Sequence, residues 1–280
     1  MPRLNKVIDL FEQKKTVFGG FMPCGSLDQA AAIGDSVLDF TIVEMEHSGF
    51  DFTGLRHSLQ YLLSRRKIAQ SGSLAPQPTP LVRIPANSRE RNEWIFKQSL
   101  DQGVFGVVTP HLNTPGEAVH LIQAMRYPQR VGAPDREPEG LRGTAPGNAV
   151  RYWGVASTEE YIDKADLWPL DPSGELLLMP LIEEAEGVRN IRDILRQARG
   201  IGAIFLGEVD LSVSLGRPMA TGHPDVVAAR DRVLKACKDA GVPVGCLGFN
   251  QVVERVEMGF DFIVTNPQQA EAGRRAAGRA

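Results

Sequence analysis

The stretch Leu176-Leu-Leu-Met-Pro-Leu-Ile-Glu183 decides the fold of this chain, because it is a short apolar run that ends in a carboxylate. A second stretch, Ala203-Ile-Phe-Leu-Gly-Glu-Val-Asp210, repeats the plan, and a helix-like segment follows each. Both runs are typical of buried parallel strands. Charges at the ends of adjacent buried strands are costly unless something pairs with them. Glu183 and Asp210 are therefore either capping or loop carboxylates, or members of one site.

Similar apolar runs alternate with helix-like segments along the rest of the chain. About eight strand–helix units within roughly 250 residues indicate a closed (β/α)8 TIM barrel, formed as a single domain over residues 1–280. In such a barrel, catalytic groups and metals collect at the carboxyl-terminal rim. The predicted strands cover residues 16–22, 38–44, 80–84, 104–109, 175–182, 202–206, 242–247 and 260–264.

Helix-start signals and interruptions support this division. Thr114 is a good N-cap and Pro115 suits the first helical turn, so a helix is predicted from this point. Residues 127–154 are rich in Pro, Gly and Arg and are too long for a simple connection, which is typical of a functional loop. The Ala- and Arg-rich tail at residues 268–280 is either a last helix that packs on a neighbouring subunit or a frayed end.

Bulk properties exclude several classes of function. With 280 residues and a formal net charge of -3, the chain lacks the basic surface expected of a protein that binds nucleic acid or an anionic membrane. It has no apolar run long enough to span a bilayer, and its first residues lack the apolar core of a signal peptide. Cys24, Cys237 and Cys246 are few and widely spaced, so we expect free thiols and a cytoplasmic protein.

Seven segments, in order over roughly residues 18 to 265, resemble the HpcH/HpaI aldolase and citrate lyase family of class II 2-oxo-acid aldolases. The matching segments are Asp39-Phe-Thr-Ile-Val-Glu-Met-Glu-His47, Leu81-Val-Arg-Ile-Pro85, Leu100-Asp-Gln-Gly-Val-Phe-Gly-Val-Val-Thr-Pro110, Arg126-Tyr-Pro128, Gly140-Leu-Arg-Gly143, Leu181-Ile-Glu-Glu-Ala-Glu-Gly-Val188 and Leu206-Gly-Glu-Val-Asp-Leu-Ser-Val-Ser-Leu-Gly216.

The resemblance implies a TIM barrel of the phosphoenolpyruvate/pyruvate type that binds a divalent metal, namely magnesium, manganese or cobalt. Such enzymes cleave 4-hydroxy-2-oxo acids reversibly into pyruvate and an aldehyde. The resemblance also implies a homo-oligomer, either a hexamer or a trimer of dimers, whose subunits share sites.

The resemblance assigns roles to residues at matched positions. Glu183 and Asp210 would bind the metal, because a hard cation prefers carboxylate oxygens and takes water and substrate for its remaining positions. Arg83 would hold the 2-oxo oxygen of the substrate, and His47 would be the base or activate a water molecule. Glu44 stands where family members commonly have Asp, and it would orient or charge His47.

Three further positions receive roles from the same resemblance. Asp101 matches a catalytic carboxylate that reaches a neighbouring subunit's site. Gly207 and the amides after it, including that of Val209, would cradle the substrate carboxylate. The remaining histidines are predicted to be surface or helix residues without a role: His57, His111, His120 and His223.

Some positions depart from the family pattern, and others compete for the same role. Gly207-Glu-Val-Asp210 replaces the usual Gly-Pro-Ala-Asp, so Glu208 becomes a possible ligand beside Asp210. Glu184 and Glu186 compete in the same way with the carboxylate at position 183. These departures lie where the aldehyde half of the substrate would bind, so the resemblance defines the metal–pyruvate core better than the substrate.

Other functions remain open. An oxaloacetate decarboxylase, like the macrophomate synthase-like relatives, would use the same enolate chemistry, and sequence cannot separate it from an aldolase. A coenzyme A-dependent lyase is less favoured because no basic cluster suits its phosphates. A Schiff-base aldolase needs a buried lysine, and no predicted strand contains one. From another class, a degenerate binding barrel would have lost at least one of the matched site residues.

Overall fold

The computed structural model describes residues 3–85, 88–134 and 136–279, and its strands form one closed barrel. Neighbouring strands pair in parallel in sequence order, and the first strand closes the barrel by pairing with the last. The strands are β1 (Val17–Pro23), β2 (Phe40–Glu44), β3 (Thr79–Arg83), β4 (Gly106–Thr109), β5 (Leu177–Ile182), β6 (Ile204–Leu206), β7 (Val244–Leu247) and β8 (Phe262–Val264).

The predicted (β/α)8 barrel is therefore confirmed, and each predicted strand overlaps an observed one. Six residues of the predicted domain lie outside the described residues: Met1, Pro2, Ala86, Asn87, Asp135 and Ala280. The helices in the described part of the chain are α1 (Lys6–Glu12), α2 (Leu27–Gly34), α3 (Phe52–Leu62), α4 (Arg65–Ser71), α5 (Glu93–Gln102), α6 (Pro115–Met125), α7 (Gly147–Trp153), α8 (Thr158–Lys164), α9 (Ala185–Gln197), α10 (Glu208–Ser214), α11 (Pro224–Ala240), α12 (Val252–Glu257) and α13 (Pro267–Ala276).

Helix α6 begins as its sequence predicts. The Thr114 side chain accepts a hydrogen bond from the amide of Glu117, whose own carboxylate accepts from the amide of Thr114, and Pro115 is the first helical residue. This reciprocal capping satisfies amides that have no partner within the helix.

The barrel interior is a packed core that α1 closes at its amino-terminal end. Phe40, Phe205 and Phe262 meet edge to face inside the barrel, with ring centroids 5.3 to 6.2 Å apart for the adjacent pairs. A methyl group at Gly19 would lie 2.3 Å from the Phe40 ring, so this position needs glycine. Helix α1 adds Val7, Ile8, Leu10 and Phe11 to the same cluster. The candidate site is therefore sought at the carboxyl-terminal rim, where β2 and β3 end in charged residues.

The carboxyl-terminal tail forms helix α13 and packs on its own barrel. Gly273 lies against Phe18 and Val252, where even a methyl group would clash. Arg274 and Arg279 both donate to the carboxylate of Asp39, which is buried at the amino-terminal end of β2. The tail is thus not a frayed end over its described residues, and contact with a neighbouring subunit stays a prediction.

The long segment after α6 is an ordered loop that ends in the short helix α7. Arg126, which is 1% exposed, forms a two-point ion pair with Asp166 through Nε and Nη2 at 2.6 and 2.9 Å. Its Nη1 donates to the carbonyls of Arg136 and Pro138, which lie within the loop. One buried guanidinium therefore holds the loop to the barrel wall.

No helix in the described part of the chain is both long and apolar enough to cross a membrane. Cys24, Cys237 and Cys246 are free, as the sequence predicts, and burial raises the pKa of each thiol.

Candidate functional site

Strands β2 and β3 bring an acid and a base together at the carboxyl-terminal rim. Their register pairs Glu44 with Arg83, the last residue of each strand. Arg83 donates from Nε to Glu44 Oε2 at 2.7 Å, and its Nη1 lies 3.0 Å from Oε2 of Glu46. The guanidinium also lies over the Phe21 ring, 4.8 Å from its centroid, in a cation–π contact. Arg83 is therefore fixed in position before any substrate binds.

Glu183 is the most deeply buried carboxylate at this rim, with 3% of its surface exposed. The amide of His111 donates to its Oε1 at 2.8 Å. Its Oε2 faces Gly207, where a methyl group would lie only 2.6 Å away. Burial, assisted by the negative charges of Asp210 and Glu46, raises the pKa of Glu183 to about 8.

Asp210 lies in the first turn of α10 and is exposed to solvent. Its negative charge contributes to the raised pKa of Glu183, so the two predicted metal ligands are close enough to interact electrostatically. The competing acid Glu208 is instead buried and pairs with Arg255 at 2.7 Å, away from this pair. Within this helix, Asp210 rather than Glu208 is the available ligand.

Glu184, one of the two acids that compete with Glu183, is also engaged. Arg89 donates to its Oε1 at 2.8 Å, and the side-chain amide of Asn113 donates to its other oxygen. Its Oε1 also lies 3.1 Å from Nδ1 of His111. Among the described residues, no arginine or lysine forms an ion pair with Glu183, and Nδ1 of His111 lies farther from it, at 3.4 Å. Glu183 is therefore the better candidate of the two for a metal ligand.

His47 lies on the loop after β2, and its imidazole is next to Glu46 rather than next to the expected Glu44. Its Nε2 is 3.4 Å from Oε2 of Glu46, and 70% of the side chain is exposed. Glu44 Oε1 accepts hydrogen bonds from the backbone amides of Glu46 and His47, at 2.7 and 3.2 Å, and its other oxygen pairs with Arg83. Glu44 therefore orients the loop that carries His47, whereas Glu46 is the neighbour of the imidazole.

His111 is a rim residue that the sequence interpretation missed. We expected a surface or helix residue without a role, but this position follows β4 just as Glu183 follows β5. Its backbone is left-handed, with φ of 59°, and this geometry directs the amide at Glu183. A polar residue directly after a buried strand and its proline was the available signal.

The structure does not bring Asp101 to the rim carboxylates of its own chain. Asp101 lies near the end of α5 and accepts a hydrogen bond from Nη2 of the buried Arg142 at 2.8 Å. The amide of Gly207 donates to the carbonyl of Ile182, so this group is already engaged. A cradle for the substrate carboxylate would thus depend on later amides such as that of Val209, and it stays a prediction.

The charges at this rim are unbalanced in a way that fits a hard divalent cation. Among the described residues, the carboxylates that meet here outnumber the two arginines: they are Glu44, Glu46, Glu183, Glu184 and Asp210. Within residues 3–85, 88–134 and 136–279, no three His, Cys, Asp or Glu side chains form a ready metal site. Two carboxylates completed by water and substrate are a common arrangement for magnesium-type ions. Glu183 and Asp210 could therefore hold such an ion.

Comparison with known proteins agrees with this geometry. The family model described as HpcH/HpaI aldolase/citrate lyase matches residues 19–261. A hydroxypyruvate/pyruvate aldolase from Roseobacter denitrificans is 29% identical over 245 residues, which cover 87% of this chain and 82% of that protein. A 2-keto-3-deoxy-L-rhamnonate aldolase from Klebsiella pneumoniae is 29% identical, covering 83% of this chain and 75% of that protein.

Among solved structures, an HpcH/HpaI aldolase/citrate lyase family protein from Burkholderia cenocepacia aligns with a TM-score of 0.76. It is 28% identical, and the alignment covers 98% of both chains. The similarity therefore extends over the whole barrel as well as over the matched segments.

Proposed function

Because the chain belongs to the HpcH/HpaI aldolase/citrate lyase family, we propose that it is a divalent-metal-dependent aldolase that cleaves and forms 4-hydroxy-2-oxo acids. The family is one of carbon–carbon lyases. The observation that carries the proposal is the buried Glu183, which faces Asp210 and has a pKa raised to about 8. A carboxylate held in this way is costly unless a cation satisfies it.

Cleavage of a 4-hydroxy-2-oxo acid leaves pyruvate as its enolate, which is too unstable to form near neutral pH without positive charge at its oxygen. When bound at Glu183 and Asp210, a divalent cation supplies this charge as a Lewis acid. Magnesium, manganese and cobalt each suit the oxygen donors.

Arg83 contributes a permanent charge beside the same oxygen. Its guanidinium is held by Glu44, by Glu46 and by the face of Phe21, so its orientation costs nothing further during the reaction. Each of the two terminal nitrogens of Arg83 has a second N–H group that the contacts with Glu44 and Glu46 do not use. Arg83 can therefore donate to the developing oxyanion while keeping its ion pairs.

His47 is the group best suited to move the proton of the 4-hydroxyl. An imidazole can accept and release a proton near neutral pH, and that of His47 is accessible at the rim. Glu46, 3.4 Å from Nε2, can hold the imidazole and stabilise its charged form after it accepts the proton. The backbone contacts of Glu44 keep this loop in place.

The small 2-oxo acid would be pyruvate or a close analogue, which agrees with the names of the relatives. These relatives include hydroxypyruvate/pyruvate aldolases and a keto-deoxy-sugar-acid aldolase. The substrates in these names differ, which fits a shared pyruvate core with a variable second half. We also propose a homo-oligomer, in which Asp101 would serve a neighbouring subunit's site.

The test is pyruvate release from a panel of 4-hydroxy-2-oxo acids and from oxaloacetate, measured with EDTA and with added magnesium, manganese or cobalt. We expect metal-dependent release that falls on the order of 10²–10³-fold or more in Glu183→Ala and in Asp210→Ala. Activity that survives both EDTA and the two substitutions would rule out the metal-enolate chemistry. The best substrate separates the aldolase from an oxaloacetate decarboxylase.

A further inference from the structure

Glu208 stands where the matched family segments usually have proline, and it forms a buried ion pair. Its Oε2 lies 2.7 Å from Nη2 of Arg255, and its Oε1 accepts from Nη1 of the same guanidinium at 3.2 Å. Arg230 adds a second positive charge 4.0 Å away. Both members of the main pair are almost fully buried. The pair therefore joins the first turn of α10 to α12, with α11 close by.

On its opposite side, the same turn lies against Glu183, the candidate metal ligand. Gly207 precedes Glu208, and its Cα is so near Glu183 that a methyl group there would lie 2.6 Å from Oε2 and 2.7 Å from Cβ. Farther along α10, Ser214 accepts a hydrogen bond from the amide of Ala185, the first residue of α9. The first turn of α10 is thus held between Glu183 and Arg255.

We propose that Glu208 is a positioning residue that, through Arg255, fixes the separation of Asp210 and Glu183. Asp210 lies two residues after Glu208 on the same turn, so a shift of this turn moves its carboxylate relative to Glu183. A cation bound by two carboxylates is sensitive to such a shift because ligand oxygens must approach to about 2.1 Å. The inference rests on the proposed metal site, and it assigns to Glu208 the role of anchor rather than of ligand.

The test compares two substitutions that each neutralise an acid beside a buried arginine. Glu208→Gln removes the negative charge next to Arg255. Asp166→Asn is the matched control, because it removes the negative charge next to Arg126, the buried arginine that holds the long loop. Calorimetric titration with Mn²⁺ alone reports metal affinity without requiring turnover. We expect the Mn²⁺ dissociation constant to rise roughly tenfold or more in Glu208→Gln and to change by less than about twofold in Asp166→Asn.

Arg255→Lys is a second variant that keeps the opposite charges but loses the two-point contact, and it should weaken Mn²⁺ binding in the same direction. If Glu208→Gln is too unstable to study, Arg255→Lys against Asp166→Asn decides the question. The inference would be overturned if Glu208→Gln or Arg255→Lys bound Mn²⁺ as tightly as the wild type, or if the control Asp166→Asn lost as much affinity. The proposed metal site would stand in either case. Wild-type protein that binds no Mn²⁺ would overturn the proposed function and this inference with it.

Discussion

Two buried clusters of charged side chains, one around Arg126 and one around Glu183, differ in how their charges are balanced. Around Arg126, every nitrogen of the guanidinium donates to an oxygen: the four acceptors are two oxygens of Asp166 and two loop carbonyls. Around Glu183, one oxygen has a backbone donor, and the negative charges of Asp210 and Glu46 outnumber the positive charge of Arg83. The first cluster is complete within the chain, and the second is not.

This difference separates a structural role from a chemical one. A buried charge that is fully paired contributes to holding its surroundings in one arrangement, although replacing the whole pair can cost little. A buried charge that lacks its counter-ion lowers stability, and it persists where a ligand supplies the missing charge. Burial and charge alone do not identify the functional site, whereas the balance of charges does.

The largest effect expected from breaking the complete cluster comes from Arg126→Met. This change leaves the Asp166 carboxylate without its counter-ion and removes a donor from two loop carbonyls. We expect the free energy of unfolding to fall by about 3–5 kcal/mol. Chemical denaturation measures the change, and calorimetry should show unchanged Mn²⁺ affinity in the folded protein. Weaker Mn²⁺ binding at full folding would mean that the two clusters are coupled.

The incomplete cluster should show itself in the pH dependence of the metal-free protein. Because the pKa of Glu183 is raised from 4.5 to about 8, its folded form holds a proton that the unfolded chain has lost between these values. The free energy of unfolding should therefore fall as pH rises from about 5 to 8. The full pKa shift corresponds to a loss of about 5 kcal/mol in the free energy of unfolding. Because water at the open rim screens the charge of Glu183, we expect a loss of about 2–3 kcal/mol.

Glu183→Gln is the control, since its side chain cannot ionise, and the difference between the two pH profiles isolates this carboxyl. Saturating Mn²⁺ should remove the loss of stability at pH 8, because the bound cation favours the ionised form. Identical profiles for the wild type and for Glu183→Gln would show that Glu183 is not desolvated, and the comparison between the two clusters would fail.

The barrel could be predicted from sequence because its strands are local features. Each is a short apolar run between helix signals, as in residues 175–182, which correspond to β5 (Leu177–Ile182). Helix α1 was not predicted, although Val7, Ile8, Leu10 and Phe11 supply the apolar face with which it closes the barrel. Its role depends on the shape of the whole barrel rather than on its own sequence.

The site could be predicted only in part, because strand ends place residues on a rim but do not set side-chain partners. Position after a strand singled out Glu183, and the family resemblance added Arg83 within its strand. It did not show that Glu44 pairs with Arg83, which lies 39 residues away. Nor did it show that Glu208 turns toward Arg255, 47 residues away. Such partners are determined by the closed barrel, which brings distant segments side by side.

The smallest expected effect comes from substitutions at His111, whose backbone amide donates to Glu183. The amide is 2.8 Å from Glu183 Oε1, whereas the buried Nδ1 is 3.4 Å away and forms no hydrogen bond among the described residues, so we expect the backbone to matter more. Because φ is 59°, His111→Gly should be about 1 kcal/mol more stable than His111→Ala in chemical denaturation. Both should bind Mn²⁺ nearly as tightly as the wild type, since both keep the amide. Equal, large losses of Mn²⁺ affinity would instead show that the imidazole holds Glu183, and the incomplete cluster would then contain one more member.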